Sequence, residues 1–383
     1  MSLTQSHLFE LFQGSAINTK IAKLNAESIQ GDAVYGVLLY AKPNSEVHRN
    51  DGRLRDYWLN KYAPLAESGG LYFSGLDPQN NWESMEWGRF KPNTPRVDSE
   101  GKPQKYESPV KPASNRVSYF RVNRATWELV ARRYNLLMPE NVLTTLEGEA
   151  LGFWDWVVRH PQIPIILTEG EKKAQCLLSL GFVAIGLPGI WGGRTGQIFL
   201  ERLHPDLIAV AQKGRKFVIL FDYETNPKTK WQVFNATRRT GVCIKASGCE
   251  CEIALLPGSE KGIDDWVVAQ GVKADQAISA LLGDALSLGD YQKSFFIPLR
   301  GLGTYKPNVR VNVEKLGYAI DKLPESGLVC LQSGMGTGKT WLGEKFRADE
   351  PDVRFGNLGH RVALLRNLAK RLKTKMYSCM QGG

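Results

Sequence analysis

The sequence predicts an α/β protein built around a parallel β-sheet that is covered by helices. Between residues 161 and 271, short apolar runs alternate with helical patterns, as in IPIILTEG followed by EKKAQCLLSLG. Strand–helix alternation of this kind builds a parallel sheet with both faces covered. The composition agrees, because 43% hydrophobic and 23% charged residues are typical of globular proteins and exclude a wholly disordered chain of 383 residues.

The length and the changes of pattern predict four segments. They are an N-terminal α+β domain (1–158), an α/β domain (159–284), a linker (285–315) and the beginning of a P-loop ATPase domain (316–383). The sequence has no run of eighteen apolar residues and no secretory signal, so we expect a cytoplasmic protein without a membrane partner. Six cysteines fit a reduced compartment better than a disulfide scaffold.

The N-terminal segment mixes helical and strand patterns. Apolar residues at helical spacing predict helices in HLFELF, LRDYWLNKYAPLAE and NRATWELVARRYNL, whereas YGVLLY predicts a strand. Residues 69–121 predict two strands, GGLYFSGL and VSYFRV, on either side of a loop rich in proline, glycine and serine. This segment therefore presents a long loop between strands.

The remaining elements follow in order along the chain. Four strands are predicted in IPIILTEG, FVAIGLPG, KFVILFDYE and CEIALLPG, and helices in EKKAQCLLSLG, WQVFNATRRTG and KGIDDWVVAQG, the first two closed by a glycine. GLVCLQSGMGTGKTWLGEKF predicts a strand, a glycine-rich turn and a helix. RFGNLGHRVALLRNLAKRLK predicts a short strand and a basic helix.

Acidic residues stand at or after the ends of three predicted strands, and they are Glu169, Asp222, Glu224, Asp264 and Asp265. The carboxyl ends of parallel strands share one edge of a sheet. Carboxylates that meet there repel unless a cation neutralises them, and oxygen ligands suit Mg²⁺ or Mn²⁺. Two such ions polarise a phosphate and activate an attacking hydroxyl. Each acid alone is more simply a cap or a turn residue, but together they predict a metal-dependent site.

The positive charge is confined to two stretches. The chain carries 49 Lys and Arg against 39 Asp and Glu, and residues 89–121 and 345–383 supply the whole excess. In the first stretch, cations and aromatic rings alternate, a pattern typical of single-strand binding. We predict that this loop, with two lysines after Glu169, binds a single-stranded DNA template and nucleoside triphosphates, the alternative being a solvated hairpin tip. The predicted binding residues are Arg89, Lys91, Arg96, Lys102, Lys105, Tyr106, Lys172 and Lys173.

The stretch SGMGTGKT (333–340) matches the Walker A pattern, with Ser333 in place of the first glycine. In this pattern, backbone N–H groups cradle phosphates, lysine reaches the β- and γ-phosphates and threonine binds Mg²⁺. The predicted ATP-binding residues are Gly334, Gly336, Gly338, Lys339 and Thr340. No apolar strand ending in acids follows within the last 43 residues. We therefore expect the N-terminal part of a larger protein, or else a short form that binds ATP without hydrolysing it.

Three acidic motifs, TEGEKKA (168–174), FDYE (221–224) and LPGSEKGIDD (256–265), resemble those of the TOPRIM domain of bacterial-type primases, topoisomerases and some nucleases. The resemblance covers roughly residues 160–275 and implies a TOPRIM-like sheet. It implies that Glu169 is the general acid/base and that Asp222, Glu224 and either Asp264 or Asp265 hold metal. The usual pair is Asp-x-Asp, and the Asp-x-Glu pair of this chain implies a changed metal preference or a reduced activity.

Together with WGRFKPNTPRVDSEGKPQKYESP (87–109), these motifs are similar to replication proteins of cyanobacterial plasmids, in which a primase-like TOPRIM region precedes a helicase-like ATPase. The resemblance implies a DNA primase that makes short primers with Mg²⁺ or Mn²⁺ and whose helicase portion lies beyond this chain. The alternatives are a TOPRIM nuclease and a non-catalytic replication initiator that binds an origin or a single strand. Nucleases of the overcoming-lysogenisation-defect type carry their ATPase before the TOPRIM region, and a topoisomerase would need a separate tyrosine domain.

Two groups of residues are predicted to have no role in a site. Cys243, Cys249 and Cys251 lack the paired C-x-x-C spacing of a structural zinc site. The tryptophans Trp154, Trp156 and Trp191 are expected in the hydrophobic core.

Overall fold

The structure is a computed structural model that describes residues 2–97, 101–197, 200–296, 311–323, 329, 331, 337–352 and 362–374. The chain divides into two compact units, Met1–Pro298 and Leu299–Gly383, and each is described by itself. Among the described residues, no helix has the length and apolar character needed to cross a membrane.

The strands of the described residues, in chain order, are β1 (Ala26–Ile29), β2 (Gly70–Asp77), β3 (Glu83–Pro92), β4 (Arg96–Val97), β5 (Pro103–Gln104), β6 (Ile165–Glu169), β7 (Ala184–Leu187), β8 (Arg194–Thr195), β9 (Arg202–Leu203), β10 (Lys216–Leu220), β11 (Glu250–Ile253) and β12 (Leu286–Ser287).

The helices are α1 (Gln5–Ser15), α2 (Thr19–Asn25), α3 (Asp32–Leu39), α4 (Asn44–Val47), α5 (Asp56–Ser68), α6 (Arg124–Arg133), α7 (Phe153–Arg159), α8 (Glu171–Ser179), α9 (Pro205–Ile208), α10 (Pro227–Ala246), α11 (Ile263–Gln270), α12 (Ala274–Gly283), α13 (Leu288–Phe296), α14 (Lys339–Asp349) and α15 (Val362–Arg371). Short 3₁₀ helices span Gly271–Lys273 and Leu316–Lys322.

A five-stranded sheet with the order β12-β11-β10-β6-β7 forms the centre of the first unit. Strands β11, β10, β6 and β7 are parallel, and β12 joins β11 antiparallel. The central strands are almost wholly buried, as expected for a parallel sheet covered by helices on both faces. The predicted mixed α/β class and the four predicted parallel strands are therefore confirmed.

A second sheet, β1-β2-β3, is antiparallel and precedes the central sheet in the chain. One hydrophobic core runs through both sheets, since Leu11 and Phe73 belong to the same buried cluster as Ile166 and Leu220. Backbone bonds also join the two parts, because Ser118 and Gly186 exchange N–H···O bonds of 2.8 and 3.1 Å. The predicted boundary between residues 158 and 159 thus lies within one packed unit.

The strand predicted in YGVLLY is wrong, because these residues lie in α3. Val34, Tyr35, Leu38 and Leu39 are buried, and this spacing places them on one face of a helix. An apolar run of this length carries no alternation that would separate helix from strand. The strand predicted in VSYFRV is also wrong, since only single bridges form there, at Ser118 and Tyr119.

The predicted helix end at Gly241 is wrong as well, because α10 continues to Ala246. Gly241 lies against a neighbouring element: a Cβ there would stand 2.8 Å from Leu288 and 3.2 Å from Cys251. This glycine therefore permits close packing instead of ending the helix. Residues 286–296, at the start of the predicted linker, form β12 and α13, which the stacking of Phe295 on Phe234 holds against α10.

In the second unit, the predicted helix after the glycine-rich turn is present as α14, which begins at Lys339. The 3₁₀ helix Leu316–Lys322 packs on it through Tyr318 and Trp341, whose rings meet edge-to-face at 5.1 Å. The strands predicted in GLVCLQ and RFGNL lie almost entirely outside the described residues, where only Val329 and Leu331 are described.

A buried carboxylate joins the β2–β3 hairpin to α9, the short helix that precedes β10. Asp206, in the first turn of α9, is fully buried and accepts hydrogen bonds from Arg116 Nε at 3.0 and 3.1 Å and from the Val117 backbone at 2.9 Å. Arg116 also pairs with Asp77 at the end of β2. Since a buried charge without its partner is strongly unfavourable, these contacts depend on one another.

Replacing Asp206 with alanine should therefore lower the free energy of unfolding by about 2–3 kcal/mol, because Arg116 and the Val117 N–H both lose a fully buried acceptor. Urea unfolding followed by circular dichroism measures this change. Glu128→Ala, which breaks an exposed ion pair on the surface of α6, should cost less than about 1 kcal/mol. Equal losses in the two variants would contradict the assignment.

Candidate active site

Strand pairing brings two of the predicted acids to the same edge of the central sheet. Leu220 of β10 pairs with Thr168 of β6, so Asp222, just past β10, lies beside Glu169 at the end of β6. Gly170 follows with φ of +92°, a conformation that glycine adopts without strain, and it turns the chain directly into α8. The sequence prediction of acids at neighbouring strand ends is confirmed for these two residues.

A lysine ammonium group lies among the acids. Lys173, on the first turns of α8, has its Nζ 2.8 Å from Asp222 Oδ1 and donates to Oδ2 at 3.0 Å. Burial alone would lower the pKa of Lys173, but the carboxylates of Asp222, Asp264 and Glu169 raise it above the ordinary value. The protein therefore holds a permanent cation where the sequence predicted a metal ion.

The crowding and burial of the carboxyl groups shift their pKa values. Burial raises the pKa of Glu169, and the neighbouring Asp222 carboxylate raises it further, while Lys173 acts in the opposite direction. Burial likewise raises the pKa of Asp222, again opposed by Lys173. Within the described part of the chain, no donor forms a hydrogen bond to the Glu169 carboxylate. Glu169 thus has carboxylate oxygens available at the strand edge among the described residues, where Asp222 Oδ1 also has no hydrogen-bond partner.

The two aspartates of the third acidic element differ in burial. Asp264, in the first turn of α11, is 4% exposed and accepts a hydrogen bond of 3.0 Å from Ser15 Oγ at the end of α1. Asp265 is exposed. Of the two alternatives that the sequence left open, Asp264 joins the cluster. Glu224 stands at its margin, where it pairs with Lys261 at 2.9 Å.

Sequence reasoning missed two carboxylates beside the site. Glu171 is 1% exposed, and neither of its oxygens has a hydrogen-bond partner among the described residues; Arg89 Nη1 lies 3.8 Å away. The carboxylate of Glu10, on α1, forms ion pairs with the ammonium groups of Lys91 at 3.0 Å and Lys172 at 3.3 Å. Glu171 is the second acid of TEGE (168–171), so the sequence offered a signal for it, whereas nothing in the sequence near Glu10 pointed to this edge.

The prediction that Arg89 and Lys91 belong to a loop is wrong, because both lie in β3, and several cations of the basic stretch are paired within the protein. Arg89 donates to the Pro188 carbonyl at 2.8 Å and lies over the Tyr106 ring at 5.0 Å. Burial, together with the carboxylates of Glu171 and Asp264, raises the pKa of Tyr106. Arg96 makes two bonds to Glu107 at 2.8 and 2.9 Å, and Lys102 and Lys105 are exposed.

The arrangement of the carboxylates limits the way in which a metal ion could bind at this site. Within the described residues, no group of three or more His, Cys, Asp or Glu side chains is arranged to hold a metal ion. Magnesium in phosphate-processing sites is commonly held by one or two carboxylates plus substrate phosphates. Glu169, with free oxygens, and Asp222 beside it fit that mode. The five acids named from the sequence do not together fit a cage of protein ligands.

The remaining predicted residues lie elsewhere. Gly338, Lys339 and Thr340 stand at the beginning of α14, whereas Gly334 and Gly336 lie outside the described residues. Cys243, Cys249 and Cys251 are buried free thiols. Trp154 and Trp156 are buried as predicted, but the prediction for Trp191 is wrong, because it lies in a surface loop and is 40% exposed.

The fold and the site define a mixed α/β protein with acids gathered at the carboxyl edge of its central sheet. Residues 153–274, which contain this sheet edge, match a family model described as "Domain of unknown function (DUF3854)". An uncharacterized protein of the cyanobacterium Picosynechococcus sp. is 36% identical over 385 residues, which covers 97% of this chain and 36% of that relative. The chain therefore has a cyanobacterial homologue and spans about a third of its length.

Removing the ammonium should expose the repulsion between the acids. In a buffer without divalent metal, Lys173→Met should lower the free energy of unfolding by about 3 kcal/mol, because Asp222 is left buried and unpaired. The double variant Lys173→Met/Asp222→Asn should recover at least about 1 kcal/mol of this loss. Urea unfolding of the four proteins of the cycle gives the coupling energy. Lys216→Met, at an exposed pair with Glu252, is the control, and strictly additive losses at Lys173 and Asp222 would contradict the pairing.

The raised pKa of Glu169 should also be visible in the pH dependence of stability. A carboxyl group whose pKa is raised by folding holds its proton more tightly in the native state. The native protein therefore loses stability as the pH rises from the ordinary value of 4.5 through the raised pKa. Glu169→Gln lacks this loss, so its stability relative to wild type should grow with pH over that window. Urea unfolding in EDTA across the window measures the difference, and a difference independent of pH would contradict it.

Proposed function

We propose that this chain is the primer-synthesising part of a replication protein, a DNA primase that joins nucleotides on a single-stranded DNA template. One observation carries the proposal: Glu169, Asp222 and Asp264 come from separate strand ends and one helix to interact around a single ammonium group. Perturbed acids gathered at the carboxyl edge of a parallel sheet are typical of catalytic sites. The likeness of their three motifs to the TOPRIM domain supports nucleotidyl transfer as the reaction.

In the proposed reaction, the 3′-hydroxyl oxygen of one nucleotide attacks the α-phosphorus of the next. A new P–O bond forms, the bond to pyrophosphate breaks, and the hydroxyl proton must be accepted. Glu169 is the proposed acceptor, because its oxygens are free among the described residues and its raised pKa makes it a stronger base than an ordinary carboxylate. Mg²⁺ or Mn²⁺ held by Asp222, with Glu224 nearby, would neutralise charge on the phosphates.

The residues around the acids are proposed to guide the substrates. Arg89 and Tyr106 lie next to Glu171 and so close one side of the site. Lys102 and Lys105, which are exposed on the same loop, would meet the phosphates of the template. Lys173, already beside Asp222, would pair with a triphosphate as the charges rearrange.

The second unit is proposed to bind ATP. Gly338 with φ of +81° leads into α14, and the helix start carries Lys339 and Thr340, as the Walker A pattern requires. We propose that a helicase-like portion follows in the full protein. The cyanobacterial relative, of which this chain covers 36%, is long enough to contain one. The cytoplasm is the proposed place of action.

A non-catalytic, strand-binding replication initiator is the second candidate. The observation that favours it is Lys173, whose ammonium occupies the position between the carboxylates that a divalent cation would otherwise take. A protein with this internal cation keeps its fold without metal. The same experiment separates the two candidates.

The full chain, incubated with single-stranded DNA, ribonucleotides or deoxyribonucleotides and Mg²⁺ or Mn²⁺, should produce new short oligonucleotides. Glu169→Gln and Asp222→Asn should each lower the rate by roughly 10²-fold or more, because they remove the proton acceptor and a metal ligand. Glu128→Gln, on the exposed surface of α6, is the matched carboxylate control and should keep the wild-type rate.

Denaturing gel electrophoresis of labelled products distinguishes the outcomes. Shortening of the DNA would replace the primase proposal by a nuclease. Binding of the DNA without any product from the wild-type chain would refute primer synthesis and favour the strand-binding initiator.

A further inference from the structure

The loop after β7 carries an aromatic ring that the proposed reaction does not use. Trp191 is 40% exposed, although its neighbours Leu187 and Gly193 are buried. The guanidinium of Arg194 lies 4.8 Å from the centroid of its ring, and that of Arg239, from α10, lies 5.6 Å away. A partly open indole with two cations over it has the composition of a base-stacking platform.

The charge around this ring is not balanced. Arg194 and Arg239 both pair with one carboxylate, Glu201, so a single negative charge serves two guanidinium groups. Two arginines against one glutamate leave a net positive charge beside the ring, which attracts an anion.

Two polar atoms at the same place are also unsatisfied. The Arg194 side chain is 10% exposed. Among the described residues, neither its Nε nor the buried hydroxyl of Thr195 has a hydrogen-bond partner. Buried donors without partners are unfavourable, and their occurrence in a folded protein needs an explanation. Burial and the neighbouring Arg239 lower the pKa of Arg194, an effect that a bound phosphate would oppose.

The platform is within reach of the acids. Leu187, the last residue of β7, is the ladder partner of Glu169, and Trp191 follows it by four residues, which span at most about 14 Å. Arg89, on β3, donates a hydrogen bond of 2.8 Å to the carbonyl of Pro188, the first residue of the Trp191 loop. A single strand of a few nucleotides can therefore extend from the acids to the Trp191 ring.

We infer that Trp191, Arg194 and Arg239 form a binding site for single-stranded nucleic acid, in which a base stacks on the indole and the adjacent phosphate meets the two guanidinium groups. The inference rests on the proposed function only for calling this strand the template. A free nucleoside triphosphate also combines a base with phosphates and could bind in the same way. The single strand is favoured because the ring lies within a few nucleotides' reach of the acids, a separation that a strand can bridge.

The test is fluorescence anisotropy of a fluorescein-labelled oligodeoxythymidine titrated with the full chain in EDTA, so that no reaction occurs. Trp191→Ala should weaken binding roughly tenfold, the usual effect of removing one stacked base contact. Arg239→Gln should lower the slope of the logarithm of affinity against the logarithm of salt concentration by about 0.7, the value for one lost phosphate contact on a single strand.

The matched control is Trp231→Ala on α10, because Trp231 is 47% exposed and stacks on Phe234. This variant should bind the oligonucleotide as wild type does. Thermal unfolding of each variant shows whether the fold is intact, and Trp191→Phe, which retains an aromatic ring, should recover most of the affinity. A fluorescent ATP analogue, titrated in parallel, should bind the wild type and Trp191→Ala equally.

Unchanged oligonucleotide binding by Trp191→Ala would overturn the inference, as would an equal loss in Trp231→Ala or a loss confined to the ATP analogue. The results distinguish a failure of the proposed function from a failure of this inference. A chain that makes no primers but loses strand binding with Trp191→Ala refutes the primase and leaves this site standing. A chain that makes primers but binds DNA independently of Trp191 retains the primase and loses this site.

Discussion

The compensation of buried negative charge is the constraint on which the first unit depends. Glu169, Asp222 and Asp264 interact at the edge of the central sheet, where water screens their repulsion poorly. The ammonium group of Lys173, on α8, offsets this repulsion. Because the ammonium is part of the chain, the acids stay together in the folded protein without any added ion.

The site is also the reason why the two halves of the first unit belong together. Helix α1 supplies Ser15 to Asp264 and Glu10 to two lysines, so residues near the N-terminus complete a cluster otherwise built from the central sheet. Asp206 and Arg116 join the β2–β3 hairpin to α9. The arrangement of the acids therefore depends on α1 as well as on their own strands.

The sequence predicted the parts of the fold that depend on local pattern. Four apolar runs became parallel strands, and acids at their ends met at one edge, because strand direction alone determines where those ends lie. The strand predicted where α3 forms was wrong because an uninterrupted apolar run has no period, and Gly241 was misjudged because its role is close contact with Leu288. The contact of Ser15 with Asp264, 249 residues apart, has no local signal. The exposure of Trp191 likewise depends on how a loop folds over the surface.

The two borders of the central sheet are short or partly covered within the described part of the chain. Strand β12, which forms one border, has two residues, and at the other border Ser118 bonds to Gly186 of β7. Unpaired strand borders are where other polypeptides commonly add a strand of their own. Such short or partly covered borders offer few free backbone groups to an added strand, so the β-ladder that carries the acids is protected from extension by another polypeptide.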